Sequence, residues 1–199
     1  MWSTTGLGVM TLCAALALPQ MKTDVRDLRD HPFEAALSAG SHLRLNLRSG
    51  DVRIRGRDDN TLTVHLASSD PEGARDVRLH LDRADHSTTL EISGGPRNDI
   101  HLTIELPKAS PLVVRMSAGN LDVEGITGDK DIELYAGDLT IAAGDPTTYA
   151  HVDASVTAGD IEARPFGESH GGLFRSFYKA GAGKYTLHAH VIAGDLTIK

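Results

Sequence analysis

Cysteine is nearly missing from this 199-residue chain: the one thiol, Cys13, lies inside a short apolar run near the N-terminus. Such a chain cannot build a disulfide framework or a cysteine-rich zinc site, and loses its last thiol nucleophile if that run is removed. Aromatic residues are also scarce, at 5%, so any core must be aliphatic. The apolar run at residues 7–18 is too short to span a bilayer comfortably. Cationic excess is absent as well. The formal charge is −7, which argues against nucleic acid and anionic membrane surfaces as partners. There is no His-Glu-x-x-His pair and no Gly-Gly-x-Gly-x-Asp calcium series. Ser169 and His170 adjoin, but neighbours in a glycine-rich segment need not meet in space.

Glycine, by contrast, is plentiful, and it falls in a phrase used five times. A small residue, Gly, Asp or Asn, and an aliphatic residue recur at Gly50-Asp51, Gly119-Asn120, Gly137-Asp138, Gly159-Asp160 and Gly194-Asp195. Glycine reaches positive φ without a Cβ clash, so each phrase marks a sharp change of direction between extended segments. Asp or Asn can close its own turn through a side-chain bond. Alternating apolar residues flank the phrases: Val114, Met116, Ala118 then Leu121, Val123; Ile132, Leu134, Ala136 then Leu139, Ile141. Strand side chains alternate with period two, so each set can face one interior. A two-residue hairpin and a bend from one sheet layer to the next both fit this pattern. The glycine intervals of 18 (119 to 137) and 22 (137 to 159) are typical of solenoid coils. The next interval, 35 (159 to 194), must hold an insertion.

Taken in order, residues 1–18 resemble a secretory signal, although no Lys or Arg precedes the apolar run. Residues 19–32 are polar and read as a linker. Residues 33–107 alternate apolar and polar residues in one-sided strands such as Leu43-Leu45-Leu47, Leu62-Val64-Leu66 and Ile100-Leu102-Ile104. Pro107 and Pro111 mark a boundary. Residues 108–199 carry the Gly-Asp corners. The expected fold is all-β: a β-solenoid-like stack of short strands, continuous with the N-terminal section. Localisation follows from the first segment: exported to the periplasm or cell surface, or cytoplasmic if translation starts at Met21.

Residues 165–186 interrupt the repeat and gather three of the four phenylalanines. Within them, Leu173, Phe174, Arg175, Phe177 and Tyr178 form either a cover over an open flank or an exposed patch that meets a partner. His188 and His190 share one strand face and could be joined by His151 in a metal site. With no third ligand set by spacing, no metal and no cofactor are assigned. The corner carboxylates supply one acidic side chain each, too few for calcium unless stacked.

The corners, together with Gly171-Gly172-Leu173-Phe174-Arg175-Ser176 and Tyr185-Thr186-Leu187-His188-Ala189-His190, carry a resemblance. Over about residues 40–199 the chain resembles bacterial β-strand-repeat proteins of the "putative adhesin" family, similar to the head domains of auto-transporter adhesins. The resemblance implies an exported domain with no established catalytic residues. The function expected is a non-catalytic envelope or surface platform for protein or glycan contact. The alternatives are a carbohydrate-active enzyme with paired carboxylates on a strand face, or an envelope-stress accessory protein.

Overall fold

The computed structural model describes residues 21–199 apart from 27, 29, 30, 97 and 98. The signal expected at residues 1–18, Cys13 included, lies outside the described residues. Among the described residues, fourteen strands form a single sheet: β1 (Met21–Arg26), β2 (Phe33–Ala36), β3 (His42–Arg57), β4 (Thr61–Ser68), β5 (Arg78–Ala84), β6 (Ser87–Ser93), β7 (Ile100–Pro107), β8 (Leu112–Glu124), β9 (Lys130–Ala136), β10 (Leu139–Ile141), β11 (Tyr149–Ala163), β12 (Glu168–Ala180), β13 (Tyr185–Ala193) and β14 (Leu196–Ile198). Three short 3-10 turns are the helical elements among the described residues. Met21–Arg26, within the segment read as a linker, pair antiparallel with β5 and so pack on the sheet.

All five corner glycines take positive φ: 126° at Gly50, 108° at Gly119, 125° at Gly137, 142° at Gly159 and 134° at Gly194. The arms on either side of a corner pair with parallel neighbouring strands, not with each other. Residues 43–47 of β3 match 112–116 of β8, and 51–55 match 120–124. The chain therefore bends at these glycines and does not form hairpins there.

The solenoid-like stack expected from the repeat is overturned by the strand connectivity. A solenoid adds coils in chain order and leaves its ends open. Here β8 pairs with β9 before its bend and with β10 after it. β11 likewise pairs with β13 before its bend and β14 after it. With β9–β13 and β10–β14, the circuit β8–β9–β13–β11–β14–β10 closes into a six-stranded parallel barrel. Chain order fails too, because the last strands, β13 and β14, sit between β9/β10 and the earlier β11. The cause is the insertion. β12 runs back antiparallel along one edge of β11, and the chain then crosses to the other edge as β13.

The remaining strands extend this barrel. β3 lies against β8 and carries β6 beside its first arm and β7 beside its second, all parallel. β5 and β1 continue antiparallel beyond β6, and β4 and β2 beyond β7. Inward positions are aliphatic and closed to solvent: Val114, Ile132, Ala154, Ala189, Val191, Leu196 and Ile198 are all 0–1% exposed. Full burial of a Val, Leu or Ile side chain contributes roughly 1.5–3 kcal/mol. The buried cluster runs without a break from Leu43 through Ile198, so both sections share one core.

Candidate functional site: the outward sheet face

The parity that buries one side of each strand turns the other side to solvent. Register across the first arms aligns Glu91, Asn46, Arg115, Glu133, His190 and Ser155 in one row, on β6, β3, β8, β9, β13 and β11. The adjacent row reads Thr89, Arg44, Val113, Asp131, His188, Asp153. Arg115 is fixed at the centre. It donates to the Asp131 carboxylate at 2.8 Å and to the Val114 and Asp131 carbonyls at 3.0 Å, and its Nε lies 3.2 Å from Glu133 Oε2. A shallow groove of about 420 Å³ crosses this face, lined by Asn46, Arg48, Glu91, Arg115, Glu133, Tyr135 and His190 among others. Tyr135 stands out of it, 63% exposed.

The second arms carry their own polar surface. Arg53 faces Asp122 at 3.7 Å, Arg55 pairs with Glu124 at 2.6 Å and Arg57 with Glu105 at 2.7 Å. The corner carboxylates line its edge, and their bonds differ from the expectation that each closes its own turn. Asp51 accepts from the Asn120 amide, Asp138 from the Asp195 N–H, Asp195 from the Asp160 N–H and Asp160 from the Gly172 N–H, at 2.9–3.2 Å. Asp51, Asp138 and Asp195 thus tie one bend to the next, and Asp160 ties its bend to β12.

The aromatic insertion divides. Phe177 is buried and packs on Phe166, whose ring meets Tyr149 edge-on at 6.1 Å. Leu173, Phe174 and Tyr178 are 65–81% exposed on β12, which as an edge strand pairs with β11 alone. Phe174 has φ +54°, a region that costs a bulky residue energy. Arg175 folds back to donate to the Gly171 carbonyl at 2.8 Å.

The histidines do not assemble as His151, His188 and His190. His151 Nδ1 lies 2.8 Å from the Tyr178 hydroxyl and its strand position matches Thr186. His188 instead lies between Asp131 and Asp153, and His190 Nδ1 meets Ser155 Oγ at 2.7 Å. His170 pairs with Glu168 at 2.8 Å, not with Ser169.

Sequence reasoning missed Arg115, Glu133 and Tyr135 as one surface, and Lys130 altogether. Lys130 is the inward residue at the start of β9, 1% exposed, donating to the Gly128 carbonyl at 3.0 Å and the Tyr149 hydroxyl at 2.9 Å. Burial pushes its amine down to about 8, a shift Asp129 partly opposes, and pushes the Tyr149 phenol up to about 12. The amine is closed to solvent, so its work is to seal the end of the core.

Among the described residues, no helix is long and apolar enough to cross a membrane. No family model matches the chain, and no curated protein matches its sequence. A solved structure from Clostridium sporogenes, described as a "putative cell adhesion protein", is similar in fold, with a TM-score of 0.55 and 15% identity. The alignment covers 91% of this chain and 99% of that one.

Proposed function

We propose that this protein is an adhesin-like, non-catalytic contact module of the cell envelope that binds glycan through the outward groove. The observation that carries this is Tyr135, exposed in a groove whose polar side chains are held on paired strands. An aromatic ring on a rigid sheet offers a flat apolar face to sugar C–H groups, while Asn46, Arg48 and Glu91 offer hydrogen bonds to hydroxyls. The fold shared with the clostridial protein supports an adhesive role, and the apolar run at residues 7–18 supports export. The two carboxylates that line the groove, Glu91 and Glu133, are three strand steps apart, about 14 Å between backbones at the usual spacing, wider than the roughly 5–9.5 Å at which a glycoside-hydrolysing pair works.

The test is a glycan array probed with the purified chain, followed by titration of the best hit. Tyr135→Ala should weaken that binding at least tenfold while leaving the melting temperature unchanged. Binding to cell surfaces that survives glycosidase treatment would identify a protein partner instead. No retention on any glycan, or equal binding by Tyr135→Ala, would reject the groove.

A further inference from the structure

We propose that Asp131, Glu133 and His188 form a binding site for one divalent transition metal ion, of the Zn²⁺ class, on the outward face of β9 and β13. Three observations place it. One ligand atom from each of these side chains lies within 4.8 Å of the others. Tetrahedral zinc ligands sit about 3.4 Å apart, given metal–ligand bonds of about 2.0–2.1 Å, so closure asks only small side-chain movements. Next, Arg115 occupies Asp131 Oδ2 and Glu133 Oε2, while Asp131 Oδ1 is shut off from solvent and accepts no hydrogen bond. An oxygen shielded from water with nothing to bond is what a cation would relieve. Finally, Asp153 Oδ2 lies 3.5 Å from His188 Nδ1. A carboxylate beside one ring nitrogen is the arrangement that orients metal-bound histidines.

Charge agrees with a divalent ion. Asp131, Glu133 and Asp153 carry three negative charges against the single positive charge of Arg115, a local balance of −2. Ligand type sets the ion. One imidazole nitrogen and two carboxylates suit zinc with water in the fourth position, whereas calcium needs six to eight oxygens. The site is assembled across strands, since Asp131 and His188 are register partners and Asp153 follows on β11.

The experiment is isothermal titration of the chelator-treated full chain with Zn²⁺ and, separately, Ca²⁺. Expected is one equivalent of zinc bound in the micromolar range or tighter, with no calcium heat, and tetrahedral visible bands when Co²⁺ replaces zinc. His188→Ala should abolish the event. Asp153→Asn, which touches the ion only through the imidazole, should weaken it about 10- to 100-fold. His151→Ala should leave it intact. These side chains are outward, so melting curves of the variants should match the parent. Absence of zinc heat, or an unchanged isotherm in His188→Ala, overturns the site. Either result leaves glycan binding at Tyr135 standing, because zinc and sugar are read separately.

Discussion

Lys130 shows how a single residue acts through its place in the alternation. Counting back by twos from Leu134 and Ile132 puts it inside, at the mouth of the core, where a cation is costly. The ammonium keeps two oxygen acceptors and lies 5.0 Å from the centre of the Tyr149 ring, and Tyr149 in turn donates to the Ala143 carbonyl at 2.9 Å. In the folded chain the amine titrates near 8, against 10.5 when free. Between those pH values the unfolded chain holds more protons, so stability rises as pH rises. Tyr149 works in the opposite sense. Its folded phenol keeps its proton to about 12, while the unfolded one ionises near 10.0, so stability falls across that interval. Lys130→Met removes the buried charge and leaves the Tyr149 donor satisfied. It should stabilise the fold at pH 7 by up to roughly 3 kcal/mol, taking about 1.4 kcal/mol for each tenfold change in proton affinity between 10.5 and about 8. It should also erase the rise above pH 8. Urea denaturation at a series of pH values measures both, and an unchanged pH slope in the variant would contradict the account. Parity could have located Lys130 from sequence; the assumption that lysine faces outward hid it.

At the scale of elements, the five bends stack in the order Gly50, Gly119, Gly137, Gly194, Gly159. A Cβ built on Gly119, Gly137, Gly194 or Gly159 falls on the carbonyl oxygen of the glycine before it in that order. Close approach and positive φ both require glycine there. Gly137→Val should therefore cost about 3 kcal/mol or more, combining left-handed strain with displacement of the Gly119 backbone. Asp138→Asn keeps an oxygen to accept from the Asp195 N–H and should cost under about 0.5 kcal/mol, as an exposed change that retains its bond. Thermal melts of the two variants give the comparison; similar melting temperatures would remove the stacking requirement. Where the chain bends was legible, because a Gly-Asp phrase between alternating runs has a local cause. Which bend lies beside which was not. Gly137 neighbours Gly194 across 57 residues, and hydrogen bonds between strands so far apart leave no local pattern. The solenoid expectation failed on that point. The candidate metal cluster was hidden for the same reason: Asp131 and Glu133 read as plain solvated positions until β13 brings His188 beside them.

For the molecule as a whole, the pairing of β3 with β8 decides whether residues 33–107 and 108–199 behave as one unit or two. It runs from Leu43 opposite Leu112 to Arg55 opposite Glu124 and keeps one register through the stacked bends at Gly50 and Gly119. Its inward side chains, Leu45, Val52 and Ile54 against Val114, Leu121 and Val123, belong to one buried cluster. Melting either section alone would expose a strand edge on the other along with these aliphatic faces. Domain boundaries that unfold independently have few contacts crossing them, and this seam is the reverse. Calorimetry of the full chain should therefore show one transition with equal calorimetric and van't Hoff enthalpies. Two resolved peaks would mean that the sections fold separately and that the seam is only a docking surface. Refolding should also be slow, on the scale of milliseconds to seconds or beyond, because parallel partners such as β9 and β13 must meet across long loops before any burial rewards the encounter.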